Sequence, residues 1–229
     1  MLNLIPRAFA DEAEAVVETE PTFWEELTGR VADVGATGWI TLIAIVLLAA
    51  IMVGVSHSRK RWTAKSLAFA ALSIALSFVL SYIKVYSMPQ GGSVTLASML
   101  PLMLFAAAYG VGPGLLAGAA YGLLQYLQGG FFVHPIQFLL DYPIAFAMIG
   151  LAGLHTVLPK SWNKWSLYAC MVVAALGRAL SATLAGILYW ETAPWASLVY
   201  NGTYLIPDTI ICIVLAVIVG KRVMKIMRG

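Results

Sequence analysis

The sequence is poor in charge: Asp, Glu, Lys and Arg make up 11% of its 229 residues, against about 25% in soluble domains. With 61% hydrophobic residues and a mean hydropathy of +0.85, that scarcity excludes an ordinary water-soluble domain and points to lipid as the solvent. A formal charge of +3, dispersed along the chain, excludes a nucleic-acid partner. Cysteine is nearly absent. Cys170 and Cys212 both fall inside apolar runs, so a disulfide framework is excluded and buried thiols are expected. Histidine is scarce too, and no Cys/His spacing suggests zinc; no metal or cofactor is expected.

Long apolar runs are what the chain does have. Residues 1–37 form an acidic lead-in, in which Ala8-Phe9-Ala10 has the pattern of a signal-peptide end without an adequate apolar core before it. Spans are expected at 38–55, 66–86, 96–109, 114–128, 135–158, 165–189 and 197–220, giving an all-α polytopic bundle. The organisation expected is a lead-in (1–37), a first span (38–56), a basic linker (57–65), a six-helix domain (66–220) and a basic tail (221–229). Gly114, Gly118 and Gly122 recur every four residues, which lets a neighbouring helix approach closely. Ten of the fourteen Lys and Arg fall on one side if every run crosses, which puts the N-terminus outside and the C-terminus in the cytoplasm.

One of these spans carries a carboxylate. Asp141 lies six residues into the run that starts at Pro135, about 9 Å along a helix and well inside the hydrocarbon slab. Such a charge costs a few kcal/mol, so it must face a partner, a cavity or a ligand. His134, Gln137 and Asp141 share one helical face, Tyr142 sits beside it, and Pro143 bends the rod. Near the same outer mouth the next span brings Tyr189 and Trp190, either interfacial anchors or ligand contacts, with Arg178 buried below them. Arg178 is expected to neutralise Asp208 or Asp141. Asn201, Tyr204 and Asp208 form a second polar face; Asn201 either bridges helices or reads a ligand. The uncharged loop 87–93, with Gly91 and Gly92, is either a turn or a cover, and it is no phosphate cradle because no Lys-Ser/Thr follows. His57 and His155 receive no role. A carboxylate, an amide and aromatic faces together suit a small flat cation. No nucleophile–base pair can be assembled, so binding is expected rather than catalysis. An ion-coupled secondary transporter using Asp141, Arg178 and Asp208 as a proton relay is the alternative.

Met88-Pro89-Gln90-Gly91-Gly92-Ser93-Val94, His134-Pro135 with Gln137 and Leu139-Leu140-Asp141-Tyr142, and Tyr200-Asn201 with Thr203-Tyr204 and Pro207 resemble the thiamine-specific S components of energy-coupling factor transporters, the ThiT/YuaJ family. The resemblance implies a six-helix membrane protein that captures thiamine from outside. Its partners would be a transmembrane coupling protein and two ATPase subunits, so the chain itself is no enzyme. It implies vitamin contacts at Asp141, Tyr142, Trp190 and Asn201, a close backbone approach at Gly186, and a lid formed by Pro89, Gln90, Gly91, Gly92 and Ser93. Ala71 and Ala75 are the nearest match to the small-residue face that docks the coupling protein. The chain departs from the family at Ala182 and Ala196, where His and Tyr are usual, at Asp208, and in the additional first span. A related cation or a thiamine precursor then enters as an alternative ligand, with Trp195 or Asp208 as compensating contacts.

Overall fold

The computed structural model describes residues 62–88, 91–159 and 165–229. The expected first span and the acidic lead-in lie outside these residues. Among the described residues the chain forms six helical rods and one hairpin. They are α1 (Ala64–Ser81), β1 (Lys84–Ser87), β2 (Ser93–Thr95), α2 (Leu100–Tyr109), α3 (Val111–Leu127), α4 (Pro135–Thr156), α5 (Ser166–Tyr189) and α6 (Pro194–Arg228). By length and composition α1, α4, α5 and α6 can cross a membrane. The α2 rod, at 10 residues, is shorter than the span expected at 96–109 and too short to cross; its residues Leu100–Ala108 are all buried among the other helices.

The helices are inverted with respect to a water-soluble bundle. On α6 the outward face carries Ile206, Ile210, Val214, Val217 and Ile218, all more than half exposed, while Asn201, Asp208, Thr209 and Cys212 point inward. On α1 the outward face carries Leu67, Leu72, Leu76 and Val79, and the inward face Ser66, Ser73, Ser77 and Ser81. Apolar groups outside and backbone groups satisfied within helices are what hydrocarbon demands. The chain is a multi-pass membrane protein.

Lipid tails are as apolar as leucine, so close packing of small residues has to hold the rods together. Side chains at Gly118 and Gly122 of α3 would run into the backbone carbonyls of Phe146 and Tyr142 on α4. Gly114 meets Ala106 of α2 and Gly150 of α4 in the same way. The repeat every four residues therefore faces α4, and α4 in turn packs on α2, α3 and α5.

The second span departs from expectation at its end. The helix stops at Ser81, whose hydroxyl donates to the Phe78 carbonyl at 2.6 Å. Residues 84–87 pair instead with 93–95 as an antiparallel hairpin. Gly91 supplies the left-handed backbone (φ 96°) that the turn region requires. A run with Lys84-Val85-Tyr86 before a Gly-Gly pair is a hairpin signal, hidden here by its continuity with the apolar helix.

Gly118→Val should destabilise the protein by about 1–3 kcal/mol, because the added side chain meets backbone and not a movable tip. Gly202→Ala, where the nearest atom is the flexible end of Ile206 at 3.6 Å, should be neutral or slightly stabilising. Thermal unfolding in detergent separates the two; equal melting temperatures would contradict this packing.

Candidate functional site: a cavity at the α4–α6 mouth

Asp141 faces a cavity because the helix that carries it changes pitch. Pro135–Leu139 is α-helical, Leu140–Ile144 forms a wider π-turn containing Pro143, and regular helix resumes at Ala145. Proline lacks the backbone donor of a regular turn, and π-turns are where such ladders accommodate it. The Leu140 carbonyl accepts from the Ser181 hydroxyl of α5 at 2.6 Å, and Ser181 is fully buried. The disturbed turn is thus tied to α5.

Asp141 Oδ2 accepts from Gln137 Nε2 at 2.6 Å and, more weakly, from Trp190 Nε1 at 3.4 Å. Gln137 is fully buried and its Oε1 accepts from the Val133 backbone N–H at 3.0 Å. It stands behind the carboxylate and does not line the cavity, so the expected ligand contact becomes a support. His134 caps α4, its Nδ1 accepting from Ile136 N–H at 3.1 Å, with its ring stacked on Tyr189. The Tyr142 hydroxyl accepts from the Phe131 backbone N–H at 2.7 Å.

The cavity measures about 610 Å³. Of the expected contacts, Asp141, Tyr142, Gly186, Trp190, Asn201 and Tyr204 line it, and Gly91, Gly92 and Ser93 form part of its wall. Pro89 and Gln90 lie outside the described residues. A side chain at Gly186 would collide with the Ser197 hydroxyl, so this glycine lets α6 approach α5 at the cavity's edge. Asn201 is 4% exposed; its Nδ2 donates to the Ser197 carbonyl at 2.9 Å and its Oδ1 accepts from the Tyr204 hydroxyl at 2.7 Å. Both partners sit on α6, so the amide does not bridge helices. It keeps one donor hydrogen and one acceptor lone pair for a ligand.

Arg178 does not neutralise either acid by direct contact. Its guanidinium lies 4.1 Å from the Phe146 ring centroid, and one terminal nitrogen donates to Met99 Sδ at 3.0 Å. Asp208 Oδ1 is occupied by Thr95, and among the described residues no hydrogen bonds connect Asp141, Arg178 and Asp208 into a relay. Arg178 lines the cavity floor; Asp208 does not reach the cavity. Nor does Trp195, which is 74% exposed. Ala182 and Ala196 line the wall, leaving the room that larger side chains would fill.

Several lining residues escaped the sequence reading. Phe131 meets Trp190 edge-to-face with centroids 5.9 Å apart, and Tyr200, Gln125 and Lys84 complete the far wall. Tyr200 stood beside Asn201 in the pattern, but nothing in its spacing marked it. Gln125 and Lys84 reach the cavity only through the placement of α3 and the hairpin. Ala71 and Ala75 are exposed on the outer face of α1.

The sequence model described as "Thiamine transporter protein (Thia_YuaJ)" matches residues 67–228. A thiamine transporter ThiT of Bacillus subtilis (strain 168) is 37% identical, the match covering 55% of this chain and 73% of the relative. A second, from Lacticaseibacillus paracasei, is 29% identical over 51% of this chain and 67% of its own length. Among solved structures, ThiT from Listeria monocytogenes superposes with a TM-score of 0.62 at 23% identity, covering 71% of this chain and 96% of that one. The S-component for biotin from an ECF-type ABC transporter superposes at 0.51 and 18% identity, covering 70% and 94%. At these identities the two structures bear on the fold alone.

Ser181→Ala should remove the hydrogen bond by which α5 holds the Leu140 carbonyl and cost about 0.5–1.5 kcal/mol of stability. Thermal unfolding checks this. An unchanged melting temperature would mean the π-turn does not depend on α5.

Proposed function

The chain belongs to the thiamine transporter protein family, and on that premise we propose that it is the substrate-binding membrane subunit of an ATP-driven vitamin importer. It captures thiamine or a close cationic analogue from outside. The observation that carries this reading is Asp141, a carboxylate opening into a cavity walled by aromatic rings. Thiamine joins a permanently cationic thiazolium ring to an aminopyrimidine. The carboxylate balances the cation, the faces of Trp190, Tyr142 and Phe131 add cation–π attraction, and the free donor and acceptor of Asn201 match the pyrimidine edge.

The cavity opens at the outer surface in this reading. Five of the seven Lys and Arg among the described residues (Lys65, Lys221, Arg222, Lys225 and Arg228) lie at the opposite end of the rods. The positive-inside rule puts that end, and the C-terminus, in the cytoplasm and the N-terminus outside. ATP is hydrolysed by partners: a transmembrane coupling protein and two ATPase subunits of the energy-coupling factor type. The small-residue pair Ala71 and Ala75, facing outward on α1, is the coupling surface in this arrangement.

Titrating the purified protein with thiamine while following tryptophan fluorescence tests the function. Parent protein should bind with quenching. Asp141→Asn should weaken binding about 10- to 100-fold, the worth of a hydrogen-bonded charge, while the melting temperature changes little. Equal affinity in parent and variant would sink the reading. Trp190→Ala should remove most of the quenching; an undiminished signal would assign it to another tryptophan. Uptake in cells should stop when the ATPase partners are deleted, and uptake that instead followed the proton gradient would favour ion-coupled transport.

A further inference from the structure

Asp208 is 2% exposed, lies outside the cavity wall, and has no part in the binding described above. Its Oδ1 nevertheless accepts two hydrogen bonds from one residue: the Thr95 backbone N–H at 2.8 Å and the Thr95 hydroxyl at 2.7 Å. Thr95 is the last residue of β2, at the base of the hairpin whose Gly91–Ser93 segment walls the cavity. The hairpin has little to hold it in place by itself. Its strand β1 is exposed along its whole length, and an isolated two-stranded hairpin is marginal at best. Its position over the cavity must therefore be set from outside.

The hydrogen-bonded attachments of the hairpin to α6 all fall on one short stretch of that helix, including the Thr203 hydroxyl, which donates to Met88 Sδ at 3.1 Å. Near the tip, the Gly92 N–H donates to the Tyr200 hydroxyl at 3.0 Å, and the Gly92 backbone lies against the Tyr204 ring. At the base stands Asp208, eight residues further on and about 12 Å along the helix. Asn201 and Tyr204, which face the cavity, lie between the two. The base attachment is also the stronger, since two short bonds to a buried carboxylate outweigh the neutral, less buried bonds of Gly92 to Tyr200 and of Thr203 to the Met88 sulfur.

We propose that Asp208 is a positioning residue of the binding site: by fixing the base of the β1–β2 hairpin to α6, it sets the spacing between the Gly91–Ser93 wall and Asn201/Tyr204, and so slows ligand release. The kinetic half of this rests on the reading that the cavity binds thiamine; the positional half does not.

The test compares Asp208→Leu, Asp208→Asn and Thr95→Val in the purified full chain. Asparagine keeps an oxygen acceptor at the same place and leucine does not; valine removes the hydroxyl's bond to Asp208 together with its bonds to Ser98, and leaves the backbone bond to Asp208 in place. Thiamine association and dissociation rates are measured by stopped-flow fluorescence. Hairpin position is read as the distance distribution between spin labels at Ser87→Cys and Val199→Cys, with Cys170 and Cys212 replaced by Ala. Asp208→Leu should accelerate dissociation about 10- to 100-fold and broaden the distances, with association changed less than about threefold. Asp208→Asn should return dissociation to within about threefold of the parent, and Thr95→Val should fall between. If Asp208→Leu does not accumulate, Thr95→Val carries the test. Unchanged dissociation with an unchanged distance distribution would overturn the proposal, as would Asp208→Asn dissociating as fast as Asp208→Leu. A parent that binds no thiamine would overturn the functional reading instead. The distance measurement would then decide the role of Asp208, broadening supporting it and constancy refuting it.

Discussion

A carboxylate held within hydrocarbon costs several kcal/mol unless protein or ligand compensates it. Asp141 is compensated only in part: Gln137 gives one oxygen a strong hydrogen bond and Trp190 gives the same oxygen a long one, while the residue lines the cavity. The arrangement around it follows from that deficit. Gln137 is buried completely and tied to Val133, so the short bond to Asp141 has little freedom to move. The π-turn at Leu140–Ile144 aims the side chain, and Ser181 keeps the turn from relaxing. A site that left its acid fully paired would have less to offer a cation. One that left it bare would be hard to insert into a membrane.

The same economy governs the other charges. Arg178 is half-buried and Asp208 fully buried in the helical bundle, yet neither makes an ion pair with the other or with Asp141 among the described residues. Arg178 rests on the polarisable groups of Phe146 and Met99, and Oδ1 of Asp208 is engaged by Thr95. A closed Asp141–Arg178 contact would have cancelled the charge the site presents. Keeping Arg178 on an aromatic face leaves Asp141 available.

How much could be read from the chain follows from the range of each signal. The spans, the α3 glycine repeat and the helical faces of Asp141 and Asn201 are local periodicities, and the sequence displays them directly. What it does not display are relations between distant elements. Asp208 and Arg178 share a depth, and depth alone suggested an ion pair; only the hairpin's return to α6 shows that Thr95 reaches Asp208 first. Gln137 shares a face with Asp141, but its rotamer turns it toward the backbone at Val133 and away from the cavity. The end of α1 at Ser81 was masked because hydropathy continues through Ile83, Val85 and Tyr86 while the backbone changes to a strand.

The shape of the cavity bears on the ligand as much as its charge does. Ala182 and Ala196 are small, so two places where a side chain could press on the guest are open. Aromatic surface comes instead from Phe131, held beside Trp190 by its own backbone bond to Tyr142, and from Tyr200, held by Gly92. These rings belong to the segment before α4 and to the first turns of α6, not to α5. A guest resting on these rings would be contacted at the mouth, the side on which the hairpin stands, and less at Ala182 on α5. A ligand would then be gripped mainly by elements whose positions are adjustable, and its residence time would depend on how firmly those elements are tied to the helices behind them.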